Sequence, residues 1–296
     1  MGEQSQEEWS GDRVERWLRQ APGLERQLAP VSEVLFEAAR LRPGESVIDV
    51  GCGTGPTTFA AARAVGPTGR VCGLDVSGEM LAAARATADR HAHGAAAPVD
   101  WVEADAVTWA PEANRYDVVI SRFGVMFFSA PLAAFTNLAS ATRAGGRLAF
   151  ASWRRRDESE LFEVPLHASL GVLRSRGIRS TAGGVDLEDF VATDGEGPFS
   201  LHDPVATATL LERAGWRDVV VERHLLTLPF AGSVSPTAAA EAAVDFGPTR
   251  LVLSDMDEEV VRAAEVAMSE AFEDHTDREG HVVLSGAVNV VTATRA

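Results

Sequence analysis

Residues 47–55 read Val-Ile-Asp-Val-Gly-Cys-Gly-Thr-Gly, and a helix-like run follows from Pro56. An apolar, β-preferring stretch therefore passes into a sharp turn and then into a helix. Glycine is needed in such a turn because the backbone must bend tightly and let a ligand lie in contact with main-chain atoms. This order of elements is typical of the cradle for an adenosine-type ligand at the carboxyl edge of a parallel sheet.

The glycine spacing argues against a dinucleotide as the ligand. The turn has the pattern Gly51-x-Gly53-x-Gly55. Dinucleotide-binding folds carry Gly-x-Gly-x-x-Gly at this place, where the glycines make room for a pyrophosphate. The spacing therefore disfavours a nicotinamide-dependent dehydrogenase, the alternative with a related fold.

The charge of the chain limits its partners. The 296 residues carry a formal net charge of −16, which repels phosphate backbones and anionic lipid. The one tight basic cluster, Arg154 to Arg156, is interpreted as a solvated loop after a strand. No apolar run approaches the ~18 residues of a membrane span. We therefore expect neither a nucleic-acid partner nor a membrane partner.

Several residue types are absent or rare. The chain has no lysine, which excludes Schiff-base and pyridoxal-phosphate chemistry and a phosphate-binding P-loop. Its two cysteines, Cys52 and Cys72, are too few for a disulfide framework or a cysteine zinc site and indicate a reducing cytoplasm. The sequence contains no His-Glu-x-x-His motif, and we expect no metal.

Strand-like and helix-like segments alternate after an N-terminal helix expected at 24–41. The predicted strands are 46–50, 70–74, 99–103, 116–121, 146–153, 219–228 and 282–293. The predicted helices between and after the first five are 56–65, 78–90, 131–142, 161–176, 203–214, 236–243 and 255–273. Such alternation predicts an α/β fold with an open parallel sheet and helices on both faces. The last two strands can complete the same sheet as an antiparallel pair.

Three aspartates stand where successive strands end. Asp49, Asp75 and Asp105 follow the first, second and third predicted strands. In an open α/β sheet, ligands bind at the carboxyl ends of the strands. A carboxylate at Asp75 can accept hydrogen bonds from two ribose hydroxyls, and Asp105 can accept one from an adenine amino group. Each aspartate alone is more often a turn residue, but together with the glycine turn they indicate an adenosine site.

These segments resemble class I S-adenosylmethionine-dependent methyltransferases of the small-molecule, ubiquinone/menaquinone-type branch. The resemblance covers about residues 40–153, and its motifs are residues 47–55, Gly73-Leu-Asp-Val-Ser77 with Met80, residues 103–106, residues 116–121 and residues 143–150. A weaker likeness continues through residues 197–201 and 211–216. The resemblance implies a Rossmann-like, seven-stranded sheet that is mostly parallel, with an antiparallel last strand and helical insertions.

The resemblance also implies a domain organisation. The expected regions are a helical lid at 1–41, a cofactor-binding core at 42–153, a helical substrate-side insertion at 154–203, and a C-terminal completion of the sheet at 204–296 with a helical insertion at about 231–279.

The resemblance further implies which residues hold the cofactor. Those for its methionine and ribose portion are Asp49, Gly51, Cys52, Gly53 and Gly55. Asp75 would bind the ribose hydroxyls, and Val76 and Met80 would pack near the adenine. Asp105 and Ala106 would contact the adenine edge. The residues that would line the side facing the methyl group are Ser121, Arg122 and Phe123.

Catalytic candidates are less sharply defined. His167, on the helix after Trp153, is the first candidate for a general base, followed by His202 and His224. A surface or core imidazole is the structural alternative. Arg122 can steer an anionic or carbonyl group of the substrate, or it can belong to a structural ion pair. The aromatic residues that would form a substrate wall or lid, or else belong to the core, are Trp9, Trp17, Trp153, Phe199 and Phe246.

The predicted activity is methyl transfer from S-adenosylmethionine to oxygen, nitrogen or carbon of a small molecule, with S-adenosylhomocysteine as the product. Two alternatives stay open: methylation of protein or nucleic acid, and cofactor binding by a non-catalytic regulator. Ser121-Arg-Phe-Gly stands where amino-methylating DNA enzymes of this family carry Asn/Asp-Pro-Pro-aromatic, which disfavours the nucleic-acid option. The predicted location is the cytoplasm, and the oligomeric state, a homodimer included, is open.

Overall fold

A computed structural model describes residues 11–91, 96–181, 184, 186–187, 197–254 and 256–296. Seven strands in these residues form one sheet. They are β1 (Ser46–Val50), β2 (Arg70–Asp75), β3 (Val99–Glu103), β4 (Tyr116–Arg122), β5 (Thr142–Trp153), β6 (Trp216–Pro229) and β7 (Val283–Arg295). Each overlaps one of the strands expected from the sequence.

The strand order is β3-β2-β1-β4-β5-β7-β6. Neighbours from β3 to β5 pair in parallel, whereas β7 runs antiparallel to both β5 and β6. The prediction of a mostly parallel sheet with an antiparallel last strand is therefore confirmed. The order reverses between β1 and β4, which creates a crevice at their carboxyl ends where α/β sheets of this type bind ligands.

Ten α-helices surround the sheet in the described part of the chain. They are α1 (Asp12–Gln27), α2 (Ala29–Ala39), α3 (Pro56–Val65), α4 (Gly78–His91), α5 (Pro131–Ala141), α6 (Glu160–Ser175), α7 (Pro204–Arg213), α8 (Pro236–Val244), α9 (Gly247–Leu253) and α10 (Glu258–Glu273). Short 3₁₀ turns follow at Val125–Phe127, Arg156–Glu158, Gly197–Phe199 and Phe230–Gly232. None of the described helices combines the length and apolar character that crossing a membrane requires.

Two helices differ from their predicted bounds. The single helix expected at 24–41 is divided at Leu28 between α1 and α2. Pro30 lies in the first turn of α2, where its missing N–H costs little because no intrahelical acceptor would be available. The helix expected at 255–273 is α10, and the separate short helix α9, with Pro248 in its first turn, precedes it.

Side chains along β1 alternate between the two faces of the sheet. Ile48 and Val50 belong to the larger hydrophobic core on one face of the sheet, and Val47 belongs to the smaller cluster on the other face. Since successive side chains of a strand point to opposite faces, Asp49 shares the face of Val47. That is the face against which α3 packs, and its residues Ala61 and Val65 join Val47 in the smaller cluster.

Candidate active site

A cavity of about 830 Å³ lies at the carboxyl ends of β1 to β4. We define its strand-end half by the lining residues within 50–57, 74–80 and 104–106, and its aromatic half by those within 20–28, 122–128, 153–162, 198–199 and 245–251. The aromatic half is contributed by α1, α6, α9 and the ends of β4 and β5. Its volume is near the top of the ~300–1,000 Å³ range of ligand pockets, and its two halves differ in chemical character.

Two glycines shape the loop that follows β1. Gly51 has a φ of 67°, and a Cβ there would lie 2.5 Å from the Cα of Gly124. Gly53 has a φ of 55°, and a Cβ there would meet nothing within 4 Å. The Gly51 N–H donates to the Leu74 carbonyl at 2.8 Å. The loop is therefore pressed against the segment after β4 at Gly51 and leaves open space in the cavity at Gly53.

Asp49 lies behind this loop and does not line the cavity. The hydroxyls of Thr57 and Thr58 both donate to its Oδ2 at 2.6 Å. Burial raises the pKa of Asp49 to about 6, although the two threonine hydrogen bonds oppose the shift. The reason for its position is the strand alternation described above, which turns the side chain toward α3. Its place is consistent with holding the loop against α3.

Asp75 connects the end of β2 to the glycine loop. Its Oδ2 accepts the Gly53 N–H at 2.7 Å, and its Oδ1 accepts the Ser77 N–H at 2.9 Å. Burial raises the pKa of this carboxyl, and the backbone hydrogen bonds oppose that shift. A carboxylate has about four lone-pair sites, so Asp75, which lines the cavity, can still accept two hydroxyl donors.

Asp105 offers an acceptor without a partner. Its Oδ1 accepts the Val107 N–H at 2.9 Å, whereas its Oδ2 is buried and accepts no hydrogen bond from any described residue. Ala106 lines the cavity beside it, and Asn137 donates to the Ala106 and Val107 carbonyls at 3.1 and 2.8 Å. A buried unsatisfied acceptor is costly. The Asp105 position therefore suits a ligand that brings an N–H donor.

The remaining residues predicted for the cofactor divide into two groups. Cys52, Val76 and Met80 line the strand-end half, whereas Gly55 and Ser121 do not line the cavity. Gly55 is the N-cap residue of α3. The buried Ser121 hydroxyl donates to the Val50 carbonyl at 2.7 Å, so this residue ties the end of β4 to the end of β1.

Arg122 joins the end of β4 to the N-terminal helices. Its side chain is 9% exposed and makes a two-pronged ion pair with Glu25 of α1, with the Nη1–Oε1 contact at 3.1 Å. It also donates to the Ser32 hydroxyl of α2 at 2.6 Å. Of the two roles left open by the sequence, the structural ion pair is the one that the contacts support. The sequence did not predict Glu25 as the partner of Arg122, because the two residues are far apart along the chain.

Five aromatic rings form one side of the cavity, and we call them the aromatic wall: Phe123, Trp153, Phe162, Phe199 and Phe246. Phe123 stacks on Trp153 with ring centroids 4.2 Å apart and planes 10° apart. Phe162 meets Trp153 and Phe199 edge-on and lies parallel to Phe246 at 5.7 Å. Phe123 holds a φ of 64°, a region that bulky residues rarely adopt except at functional sites.

Three of the aromatic residues singled out in the sequence thus belong to the wall. Trp9 lies outside the described residues, as does the side chain of Trp17. Phe162 on α6, which the sequence gave no reason to select, packs against Trp153, Phe199 and Phe246.

Arg156 and Arg250 also line the cavity, and sequence reasoning missed both. The interpretation of Arg154 to Arg156 as a solvated loop is wrong for Arg156, which is 4% exposed and forms an ion pair with Glu163 of α6. The short 3₁₀ turn at Arg156–Glu158 directs this side chain inward. Arg250 lies on α9, a helix that the sequence did not predict.

The histidine candidates lie elsewhere. His167 on α6 has a 59% exposed side chain, and its Nε2 lies 3.6 Å from Glu163. His202 contacts the Phe199 carbonyl through Nδ1 at 2.9 Å, and His224 lies on β6 near Glu222. None of the three lines the cavity. The helical position of His167 puts it on the outer face of α6, opposite Phe162 and Leu166, which are buried.

Comparisons with known proteins agree with this geometry. Residues 47–146 match a family model described as a methyltransferase domain. The aklanonic acid methyltransferase DauC of Streptomyces sp. (strain C5) is 32% identical over 123 residues, which are 42% of this chain and 54% of that protein. The ubiquinone/menaquinone biosynthesis C-methyltransferase UbiE of Ectopseudomonas mendocina is 36% identical over 114 residues, 38% of this chain and 43% of that protein. The chain thus spans about half the length of these relatives.

A solved structure extends the likeness in fold beyond that segment. The YcgJ protein from Bacillus subtilis superimposes with a TM-score of 0.51 at 13% identity and covers 89% of this chain and 97% of its own. At this identity the likeness concerns the fold alone. Residues 47–146 are thus similar to a methyltransferase domain, and the YcgJ protein shares the fold over most of the chain.

Proposed function

We propose that this chain is an enzyme that transfers a methyl group from S-adenosylmethionine to a small-molecule acceptor. The observation that carries the proposal is the single cavity whose strand-end half has the glycine loop and carboxylates of a nucleoside site and whose other half is walled by aromatic rings. Such an arrangement brings two ligands into contact inside one enclosure.

The residues of the strand-end half fit the cofactor. Asp75 has lone pairs left for two ribose hydroxyls, and the unpaired, buried Oδ2 of Asp105 suits the adenine amino group. Val76 and Met80 supply apolar surface beside them. The open space at Gly53 leaves room for the methionine portion of the cofactor beside the glycine loop.

When bound, the cofactor supplies an electrophilic methyl carbon on a positively charged sulfur. The chain must then align the acceptor with that carbon and keep water away. Alignment of this kind contributes ~7–11 kcal/mol to lowering a barrier. The aromatic wall and α1 enclose the acceptor, and the Arg122–Glu25 ion pair fixes α1 over the end of β4. Arg122 is therefore a positioning residue in this proposal, and His167 has no part in it.

A small acceptor is favoured over a polymer. Helices α1, α6 and α9 line the aromatic half of the cavity, and the net charge of −16 opposes binding of nucleic acid. The two relatives are an aklanonic acid methyltransferase and a ubiquinone/menaquinone biosynthesis C-methyltransferase, and both names refer to small molecules. The two cysteines are unbonded and buried, which supports a cytoplasmic location.

Calorimetry with S-adenosylhomocysteine tests the cofactor site. Asp75→Asn is expected to weaken binding about ten- to a hundredfold, because hydrogen bonds to a charged acceptor contribute roughly 1.5–3 kcal/mol. The matched control is Asp100→Asn on the neighbouring strand β3, whose side chain is 60% exposed, and it should bind like the unaltered chain. Absence of heat with either form of the cofactor, on folded protein, would falsify the proposal.

Turnover separates an enzyme from a non-catalytic regulator. Both would bind the cofactor, but only the enzyme forms S-adenosylhomocysteine faster when a small aromatic acceptor is added. The measurement is the rate of S-adenosylhomocysteine formation by mass spectrometry, with and without each acceptor of a quinone and aromatic-acid panel. A protein that binds the cofactor and shows no acceptor-dependent rate across the panel would favour the regulator.

A further inference from the structure

We propose that the acceptor is a planar aromatic anion of the carboxylate type, that Arg250 meets its charge, and that its ionised oxygen receives the methyl group. The proposal rests on the methyl-transfer function proposed above and specifies the class of substrate for the same cavity. Three observations in the aromatic half lead to it.

The first observation is the charge balance of the arginines that line the cavity. Arg122 is paired with Glu25, and Arg156 is paired with Glu163. Arg250 is half-buried, and no described carboxylate lies within ion-pairing distance of it, although the chain as a whole carries a charge of −16. A guanidinium presents a planar set of donors that matches a carboxylate in geometry and charge. Arg250 is therefore available to an anionic ligand.

The second observation is the group of stacked aromatic rings beside that charge. Phe246 and Phe162 lie parallel, with planes 3° apart, and Phe123 and Trp153 form a second stacked pair. Phe246 is the N-cap residue of α9, one turn before Arg250. Aromatic rings pack favourably against other rings in stacked or edge-on arrangements. A ring system with an acidic substituent can thus contact the wall and the guanidinium at once.

The third observation concerns proton removal. No histidine or tyrosine is among the described lining residues, and the chain has no lysine. Of the other groups, Asp75 and Asp105 lie in the strand-end half, and Glu25 is held by Arg122. Burial raises the pKa of the Cys52 thiol, which keeps it neutral, and Asp245 is exposed at the edge of the cavity. An acceptor that arrives ionised needs no general base.

The reaction balances without a proton acceptor. One carboxylate oxygen can remain hydrogen-bonded to Arg250 while the other forms a bond to the methyl carbon with its own lone pair. The bond between that carbon and sulfur breaks, and its two electrons stay on sulfur. The products are a neutral methyl ester and the neutral thioether S-adenosylhomocysteine. Loss of the negative charge also weakens the contact of the ester with Arg250, which favours release of the product.

The test compares two probes of the same shape, anthraquinone-2-carboxylate and anthraquinone-2-carboxamide, by calorimetry on the S-adenosylhomocysteine complex at pH 7. The unaltered chain is expected to bind the carboxylate at least about tenfold more tightly than the amide. Arg250→Met should remove this preference and leave the amide affinity within about twofold. Arg250→Lys should keep part of the preference, and Phe246→Ala should weaken both probes alike. With S-adenosylmethionine, the carboxylate should yield its base-labile methyl ester.

The control variant is Arg262→Met on α10, an arginine with a 61% exposed side chain that pairs with Glu258; it should retain the preference. The proposal is overturned if the unaltered chain binds both probes equally, if Arg250→Met keeps the preference, or if the bound carboxylate gives no ester. Binding of S-adenosylhomocysteine is measured first on each sample. If a sample binds S-adenosylhomocysteine but shows one of these failures, only the proposed acceptor class is refuted. If the unaltered chain does not bind S-adenosylhomocysteine, the methyl-transfer function is refuted.

Discussion

The two halves of the cavity are built in different ways. The strand-end half is formed by loops that directly follow β1, β2 and β3, and its carboxylates are fixed by backbone hydrogen bonds such as those from Gly53 and Ser77 to Asp75. The aromatic half brings together α1, α6 and α9 with the ends of β4 and β5, and side chains hold it through ion pairs and ring contacts. One half depends on the local backbone, and the other depends on how distant segments pack.

This difference predicts how each half responds to substitution. Changes in the strand-end half should alter cofactor affinity and, where backbone is involved, the free energy of unfolding. Changes in the aromatic half should alter acceptor binding and leave cofactor affinity intact. A variant that changes cofactor affinity and acceptor binding equally would contradict this division between the two halves.

The largest effect is expected at the glycine loop. Gly51→Ala places a Cβ about 2.5 Å from the Cα of Gly124, and neither backbone segment can yield easily. We expect a loss of roughly 2–4 kcal/mol in the free energy of unfolding, measured by urea titration, together with loss of cofactor binding. Gly53→Ala has the same kind of φ but meets nothing within 4 Å. It should cost only about 1 kcal/mol and still weaken cofactor binding. Equal destabilisation by both would contradict the close approach at Gly51.

The second effect concerns Asp49 and depends on pH. Burial raises its pKa from 3.8 to about 6, so the folded state binds a proton more tightly than the unfolded state does. Its contribution is therefore fully present below about pH 3.8, and stability is lost as pH rises toward 6. Asp49→Asn keeps the shape of the side chain but has no ionisable group there, so its stability does not show this loss as pH rises. The free energy of unfolding of the variant, relative to the unaltered chain, should rise by about 2 kcal/mol between pH 4.5 and pH 7. A difference that does not change with pH would show that Asp49 is not perturbed.

The strand-end half depends on local backbone and the aromatic half on distant packing, and this difference explains how far the sequence predicts each of them. The strands, the glycine turn and the aspartates at 75 and 105 are encoded in short contiguous patterns, because alternation and turn chemistry act over a few residues. Even the position of Asp49 behind the loop follows from strand alternation once Ile48 and Val50 are placed in the core. The strand-end half was therefore largely predictable.

The aromatic half was not predictable to the same degree. The contact of Glu25 with Arg122 and that of Arg156 with Glu163 depend on where α1 and α6 pack, which no local pattern specifies. Trp153, Phe199 and Phe246 stood out only as aromatic residues, and core positions would have explained them equally well. Arg250 lies on α9, whose seven residues are too few to show a helical period.

A smaller effect is expected for the ion pair that holds α1. Glu25→Gln removes the partner of Arg122, whose side chain is 9% exposed, but Glu25 itself is 42% exposed. Solvent therefore screens part of the loss, and we expect about 1 kcal/mol in the free energy of unfolding. The KM for the acceptor should rise severalfold while S-adenosylhomocysteine affinity stays within twofold. Glu33→Gln on α2, another glutamate of the N-terminal helices, is the control. A matching loss of cofactor affinity in Glu25→Gln would mean that α1 serves both halves.

The smallest effect is expected for His167, the first candidate for a base in the sequence. Its side chain is 59% exposed on α6, its contact is Glu163 at 3.6 Å, and it does not line the cavity. Surface substitutions of this kind change the free energy of unfolding by less than ~0.5 kcal/mol. His167→Gln should therefore leave kcat within about twofold and leave the pH profile of kcat unchanged, as measured by S-adenosylhomocysteine formation between pH 6 and 9. Loss of activity would place His167 at the reacting atoms and would require α6 to turn toward the cavity during turnover. Because Phe162 and Leu166 anchor the opposite face of that helix in the core, such a turn would expose both of them to water, and this cost is why we expect the variant to remain active.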